Sequence, residues 1–170
     1  MADEPKIDQP APDQSPRSVG FLISQLGFFS SKRFAEALAP LGIGPREFLL
    51  LRYVAALAGQ SQQSLAERLG VPPSRMVALV DYLEQRGLVE RRPDPDDRRV
   101  RGLHLTAEGR RTLERATAVA IEYELKLCSS LADGEREQLI DLLQKVQGDQ
   151  TELRGVHPGL GRDHPWSPKD

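Results

Sequence analysis

The sequence predicts a mainly α-helical fold with one small β-hairpin, and three features indicate this class. Apolar residues recur at helical spacing over most of the chain, from about residue 18 to residue 147. Two short helical patterns meet at a tight turn between residues 61 and 86. Two β-type runs then flank a tip rich in Pro, Asp and Arg, at residues 91–99. Together these features predict a winged helix-turn-helix, flanked by N- and C-terminal helices.

The helix-turn-helix is predicted from capping residues and apolar spacing. Ser61 is a good N-cap, since its hydroxyl can accept from the free amides of the first turn. Gly70 follows the first helix, where a left-handed C-cap favours glycine, and Pro73 suits the start of the second helix. Gly87 ends the second helix. The apolar faces of the two helices comprise Leu65, Ala66 and Leu69, and Met76, Leu79, Val80 and Leu83.

The second helix of such a pair enters the DNA major groove, so its early solvent-facing residues are expected to meet the DNA. Arg75 can donate two hydrogen bonds to a guanine edge or bind a phosphate. Val77 and Ala78 offer only apolar contact, for example with a thymine methyl group. Taken alone, Arg75 is as well explained as a solvated surface charge, but the neighbouring hairpin favours DNA. The predicted DNA-binding residues of the two helices are Ser61, Pro73, Ser74, Arg75, Val77 and Ala78.

The hairpin is predicted from the runs that begin at Leu88 and at Val100. Its tip carries many guanidinium groups, and arginine suits a narrow minor groove, whose negative potential attracts it. Asp97 is expected to accept hydrogen bonds from Arg99 or from nearby amides and so to fix the tip. The predicted DNA-binding residues of the hairpin are Arg91, Arg92, Asp97, Arg98, Arg99 and Arg101.

Several short strings of this region occur in a set order. They are Leu65 to Gly70 (LAERLG), Leu79-Val80-Asp81, Gly87-Leu88-Val89, Asp97-Arg98-Arg99 and Leu105-Thr106. In this order and spacing the chain resembles the MarR-type regulators, over about Val19 to Gln147. The resemblance implies a homodimeric, sequence-specific DNA-binding transcription regulator, a repressor relieved by a small ligand, with Arg99 in the minor groove of a pseudo-palindromic operator. The chain departs from the family pattern at Val77 and Ala78, where polar or basic residues are common, so base readout is expected to depend on Arg75 and the hairpin.

The flanking helices have more apolar surface than one chain needs. The predicted helix at residues 18–39 has apolar stripes too broad for a lone surface helix, which suggests a partner. Thr106 is predicted to cap a long helix that reaches about Ser129, and Asp133 to cap the last helix, which ends near residue 147. These helices are expected to form the dimer interface; alternatively, they only cover the monomer. Residues 18–147 thus form one predicted domain, with the winged helix-turn-helix at 45–106, a disordered tail at 1–17 and a mobile tail at 148–170.

The helix that begins near Pro45 is expected to be central to the core. Its predicted core residues are Phe48, Leu49, Leu51, Val54 and Leu57.

Composition narrows the class of protein. The 170 residues carry a net charge of −2, so DNA affinity must come from local clusters rather than from a global positive field. Cys128 is the only cysteine, which excludes an intrachain disulfide. The sequence has no signal peptide and no apolar run near the ~20 residues of a membrane-spanning helix, which predicts a cytoplasmic protein without membrane contact.

The resemblance also implies an effector, a small aromatic acid or phenol bound between the dimer helices and the DNA-binding region. A cation beside aromatic rings suits an aromatic carboxylate. Alternatively, the aromatic residues are ordinary core and Lys32 is a solvated charge. The candidate effector-binding residues are Phe28, Phe29, Lys32, Arg33, Arg46 and Tyr53.

Two other functions stay open at this point. Winged helices also serve as protein–protein interaction modules, although the arginines of this hairpin argue against that. Cys128 could sense oxidants, but family members that do so use a cysteine near the N-terminal helix, which this chain lacks. His104, His157 and His164 have no metal-ligand spacing, and no motif suggests nucleophilic catalysis or phosphate binding. The sequence therefore predicts a non-enzyme without cofactor or metal.

Overall fold

The computed structural model describes residues 18–93 and 101–148, and over these ranges it contains six α-helices and one two-stranded antiparallel sheet. The mainly α-helical class with a β-hairpin is confirmed. In chain order the elements are α1 (Val19–Leu38), a 3-10 turn (Ala39–Leu41), α2 (Pro45–Ala56), α3 (Gln62–Leu69), α4 (Pro73–Gln85), β1 (Val89–Pro93), β2 (Arg101–Leu105), α5 (Ala107–Leu127) and α6 (Asp133–Gly148).

Hydroxyl caps start three of the helices. The side chains of Ser18, Ser61 and Thr106 accept hydrogen bonds from backbone amides three residues ahead, at the starts of α1, α3 and α5. The predicted caps at Ser61 and Thr106 are thus confirmed. The predicted cap at Asp133 is wrong, because Asp133 is already the first residue of α6. The amide of Arg136 bonds to the Ala132 carbonyl at 3.0 Å, so the hydrogen-bond ladder begins one residue earlier than the sequence suggested.

The core lies around α2. This helix packs against α1, α5 and β2, so it is enclosed on more than one side. Leu50, Leu51 and Val54 are fully buried, and Leu50 was missing from the predicted core. Of the predicted core residues, Leu49 and Leu57 are only partly buried at its edge.

The hairpin is tied to the loop that precedes α3. Its strands pair from Val89 with Leu105 to Pro93 with Arg101. The Gly59 amide donates to the Leu103 carbonyl at 3.0 Å, and the Leu103 amide donates to the Gln60 carbonyl at 2.9 Å. A Cβ at Gly102 would lie 2.5 Å from the Gly59 carbonyl oxygen, so glycine is required where the strand and the loop approach. These bonds hold the base of the hairpin beside the helix-turn-helix.

None of the helices within residues 18–93 and 101–148 is long and apolar enough to cross a membrane.

Candidate nucleic-acid interface and effector cavity

The first two turns of α4 present a small exposed surface. Pro73, Ser74, Val77 and Ala78 are exposed there, while Met76 is fully buried and fixes the helix to the core. Arg75 is half-buried at the edge of the same surface. Four of the five α4 residues predicted to meet DNA are therefore accessible along one part of the helix.

Ser61 lies on the opposite side of the turn from α4. Its hydroxyl accepts from the Ser64 amide at 3.1 Å, and its backbone forms a β-bridge with Gly102. The residue was predicted both as a cap and as a DNA contact. Its hydroxyl accepts in the cap and keeps its own proton, so the predicted DNA contact of Ser61 stays a prediction.

The arginines of the hairpin differ in environment. Arg92 and Arg101 are exposed, and Arg92 pairs with Glu90 at 2.5 Å. Arg91 is different, because its side chain is 19% exposed and its guanidinium contacts Asp81, Glu84 and Gln62. Opposite charges on α4 thus hold Arg91 against the protein, and its predicted contact with DNA stays a prediction. Asp97, Arg98, Arg99 and Val100 lie outside the described residues.

The segment that follows α4 is hydrogen-bonded to the start of α5. The Thr106 hydroxyl donates to the Gly87 carbonyl at 2.6 Å and accepts from the Gly109 amide at 2.9 Å. The Thr106 amide donates to the Leu88 carbonyl at 3.2 Å. A Cβ at Gly109 would lie 1.9 Å from that same carbonyl oxygen, so α5 approaches as closely as a helix can. We name this contact the α4–α5 joint.

A cavity of about 370 Å³ opens between α2, α5 and α6. Its wall combines apolar side chains with two guanidinium groups. The Arg52 guanidinium lies 5.8 Å from the centre of the Phe48 ring, and Arg136 bonds to the Glu124 carboxylate at 3.2 Å. That hydrogen bond raises the pKa of Arg136 above its ordinary value. The lining residues are Phe48, Arg52, Thr117, Ala120, Ile121, Glu124, Leu125 and Arg136.

None of the six predicted effector-binding residues lines this cavity. Phe28, Phe29, Lys32 and Arg33 lie on exposed parts of α1, and Arg46 and Tyr53 are half-buried on α2. The predicted effector-binding residues therefore stay a prediction, and the cavity is a separate candidate that shares only the helix α2 with them. Phe48 and Arg52, an aromatic residue and a cation four positions apart, are the signal that could have found the cavity.

The outer helices expose large apolar side chains. On α1 these include Leu26 and Phe29, which are 58% and 51% exposed, and on α6 Leu142 is 51% exposed. Within the chain, α1 is held to α5 by Tyr123, whose hydroxyl lies 2.8 Å from that of Ser30 and whose ring packs on Phe34. Tyr123 was not singled out from the sequence.

Cys128 is half-buried at the end of α5, with its sulfur 4.0 Å from a Glu124 carboxylate oxygen. Oxidant sensing by Cys128 stays an untested prediction. Within the described ranges no group of three or more His, Cys, Asp or Glu side chains is arranged to hold a metal ion. His157, His164 and most of the predicted C-terminal tail lie outside those ranges, as does the N-terminal tail.

Comparisons with known proteins identify similar molecules. The sequence profile of the MarR family matches residues 41–100. A transcriptional regulator of the MarR family from Rhodococcus sp. RHA1 is 34% identical, with a TM-score of 0.63 over 75% of this chain and 92% of that one. The transcriptional repressor CouR, solved on a 23-mer DNA duplex, is 32% identical, with a TM-score of 0.68 over 76% and 92%. A MarR-family protein of Mycobacterium tuberculosis in complex with p-aminosalicylic acid is 28% identical, with a TM-score of 0.61 over 76% and 98%.

Proposed function

Because the chain belongs to the MarR family of transcription regulators, we propose that it binds a pseudo-palindromic operator as a homodimer and acts as a repressor that a small ligand releases. The observation that carries the proposal is the exposed surface of α4 beside an arginine-bearing hairpin. The protein acts by binding alone, without catalysis and without a cofactor. Residues 18–147 form the working domain, with the winged helix-turn-helix at 45–106.

The α4 surface reads the major groove. Ser74 donates to a phosphate, Val77 and Ala78 contact thymine methyl groups, and Arg75 binds a guanine edge or a phosphate. Short apolar side chains allow the helix to lie close to the bases. The small number of polar groups on this surface means that much of the specificity comes from the hairpin and from DNA shape.

The hairpin supplies positive charge near the minor groove. Arg92 and Arg101 stand exposed on its two strands, at the base of the segment that carries Arg98 and Arg99. Arginine is favoured in a narrow minor groove because the negative potential is enhanced there. A net charge of −2 for the whole chain leaves this cluster as the main source of attraction to DNA.

Dimerisation follows from the apolar surfaces of α1, α5 and α6. Contiguous exposed apolar surface on a folded chain marks an interface. A second copy related by a two-fold axis covers the same residues on both chains and presents two copies of α4. Two α4 helices match two half-sites about one DNA turn apart, roughly 10 base pairs.

Selection of binding sites from a pool of random DNA duplexes tests this function directly. The expected product is an inverted repeat, bound tightly in the presence of competitor DNA, with an affinity that falls steeply as salt rises. Failure to enrich any sequence would contradict the proposal and would favour the protein–protein interaction module.

The hairpin is tested by the triple variant Arg98→Ala, Arg99→Ala, Arg101→Ala on the selected operator. We expect at least a hundredfold loss of affinity, while the dimer stays folded by circular dichroism. A matched control removes the same charge from exposed positions of α5, in the triple variant Arg110→Ala, Arg111→Ala, Arg115→Ala. Equal losses in the two variants would show that only total charge matters, and would contradict the role of the hairpin.

We place the effector in the cavity between α2, α5 and α6. Its volume of about 370 Å³ is suited to a small ligand. Arg52 favours an anion, since Arg136 is already paired with Glu124 and Glu137. Phe48, Ile121 and Leu125 favour an aromatic ring. The M. tuberculosis relative holds an aromatic carboxylate, p-aminosalicylic acid. The ligand acts as an inducer if it binds better to a dimer whose α4 helices are wrongly spaced for DNA.

Calorimetric titration with p-aminosalicylate tests the cavity, with the neutral amide of the same compound as the ligand control. Arg52→Gln should weaken binding of the acid by tenfold or more and change binding of the amide little. Lys32→Gln, which alters an exposed cation of α1, should leave both affinities unchanged. The reverse result, loss with Lys32→Gln alone, would place the ligand on α1 as the sequence first suggested.

A further inference from the structure

Two carboxylates continue the exposed face of α4. Asp81 lies seven residues after Ser74, which is two helical turns along the same face, and Glu84 follows three residues later. The side chains of Asp81 and Glu84 are 47% and 41% exposed. Uncompensated, they would repel the phosphates of a duplex bound along this face.

One guanidinium group holds both carboxylates. Arg91 lies 2.5 Å from Asp81 through Nη2 and contacts Glu84 through Nη1. The same Nη2 donates to the Gln62 side-chain oxygen at 2.8 Å, and the Arg91 amide donates to Glu84 at 3.3 Å. A residue of β1 is thereby joined to the recognition helix α4 and to the first turn of α3.

These contacts distinguish Arg91 from its neighbours in the hairpin. Its side chain is 19% exposed, against 52% for Arg92, so the protein rather than solvent surrounds it. The planar fork of arginine can serve three acceptors at once, whereas lysine offers a single point charge. Glu84 also accepts from the backbone amide of Arg91, so this amide on the outer edge of β1 has a partner.

We propose that Arg91 is a positioning residue for operator recognition: it sets the angle between the hairpin and α4 and neutralises the two carboxylates on the groove-facing side of that helix. The inference rests on the proposed DNA-binding function and refines it. An operator is read in two grooves at once, so the separation of hairpin and helix decides whether both fit. Arg91 therefore contributes to specificity without touching DNA.

The decisive experiment removes the acids rather than the arginine. If Asp81 and Glu84 merely lie near DNA, the double variant Asp81→Asn, Glu84→Gln should bind DNA more tightly, because two repulsive charges are gone. If Arg91 sets the hairpin angle, that variant should instead bind the selected operator at least fivefold more weakly than wild type, with unchanged or stronger binding to random duplex. Operator binding equal to or tighter than that of wild type would overturn the proposal.

Salt titration separates positioning from phosphate contact. Arg91→Gln should weaken operator binding about tenfold. The slope of log affinity against log salt is compared between the variant Asp81→Asn, Glu84→Gln and the same variant with Arg91→Gln added, where no uncompensated carboxylate is left to repel phosphates, and these two slopes should be equal. A slope reduced by about one phosphate contact, roughly 0.9, would show that Arg91 binds the duplex directly and would also overturn the proposal. Arg111→Gln, which removes a guanidinium from an exposed pair with Glu108, is the charge-matched control and should change affinity less than twofold.

Two further variants show whether a loss of operator binding comes from the lost contact or from misfolding. Arg91→Lys keeps the charge and the apolar stem but cannot reach three acceptors, so it should lose most of the operator affinity lost in Arg91→Gln. The triple variant Arg91→Gln, Asp81→Asn, Glu84→Gln should bind the operator no more weakly than the weaker-binding of Arg91→Gln and the double variant, because all three residues act in one contact. Additive losses would contradict a shared contact. A wild-type protein that selects no operator at all would instead contradict the proposed function.

Discussion

The winged helix-turn-helix and the helices around it differ in how much of their apolar surface is buried within the chain. From α2 to β2 most large apolar side chains are buried or partly buried, with Val77 and Tyr82 of α4 as exceptions, and Leu50, Met76 and Leu83 have no accessible surface. On α1, α6 and the second half of α5, large apolar side chains stand exposed, with Leu125 at 64%. The first region completes its core within one chain, whereas the second has the surface of a core that lacks its other half. A closed core and an exposed apolar surface are thus encoded in separate parts of the sequence.

The largest expected effect is on stability, and the same Leu→Ala substitution should act differently in the closed core and on the exposed apolar surface. Leu50→Ala should lower the free energy of unfolding by about 3 kcal/mol, because it leaves a cavity in a closed core. Leu142→Ala on α6 should lower the unfolding midpoint only at concentrations where the wild type is dimeric, and should make that midpoint less dependent on protein concentration, because the weakened dimer dissociates before the chain unfolds. Chemical denaturation over a hundredfold range of concentration checks both. If Leu50→Ala and Leu142→Ala lose equal free energy of unfolding at every protein concentration, α6 is stabilised within the monomer.

The next effect is on assembly. Leu142→Asp places a charge in the exposed apolar surface and should convert the dimer to monomer in sedimentation analysis. Operator affinity should then fall by about a hundredfold, because the two half-sites are no longer bound by two α4 helices of one dimer. Gln144→Asp adds the same charge to another exposed position of α6 and serves as the control. A dimer that survives Leu142→Asp would move the interface away from this face.

The α4–α5 joint connects the two regions and should tolerate little change. Gly109→Ala should cost about 2 kcal/mol of stability, since the new methyl group meets the Leu88 carbonyl and the backbone must shift. Gly134→Ala, whose Cβ has no neighbour within 4 Å, should leave stability unchanged or slightly improved. Thermal unfolding measures both. A tolerant Gly109 would mean that the joint is looser than its geometry implies.

The smallest effect concerns the cap at the same joint. Thr106→Ala removes a cap and should cost about 1 kcal/mol. Thr106→Ser keeps the hydroxyl that bonds to Gly87 and Gly109, so it should recover most of that loss. An unaltered melting temperature in Thr106→Ala would contradict the role of the cap.

Local chemistry predicted much of this fold from the sequence. The hydroxyls of Ser61 and Thr106 precede apolar patterns of helical period, and such caps act over three residues. Leu50 was missed because a periodic pattern assumes one buried face, while α2 is enclosed by α1, α5 and β2. The cap of α6 was misplaced by one residue, a difference that side-chain type alone does not resolve.

The site residues were harder to predict where partners are distant in sequence. Arg91 was grouped with the DNA-facing arginines because its charge looked like theirs. Its contacts with Asp81, ten residues away, and Gln62, 29 residues away, exist only after the hairpin folds back on α3 and α4. The cavity likewise joins α2 to α5 and α6, so no single stretch of sequence contains it.

The geometry of α5 couples movement at the α4–α5 joint to movement at the cavity. Helix α5 has 21 residues, and Ala116, fully buried against the core, lies near its middle. Thr106 is ten residues before Ala116 and Leu125 is nine residues after it, so at 1.5 Å per residue the helix has two arms of about 15 Å. A rigid rod on a central pivot moves its two ends by equal and opposite amounts. A tilt of about 4° that opens the cavity by ~1 Å near Leu125 would therefore shift Thr106 by ~1 Å relative to Gly87 and Leu88, which is wider than the range of a good hydrogen bond.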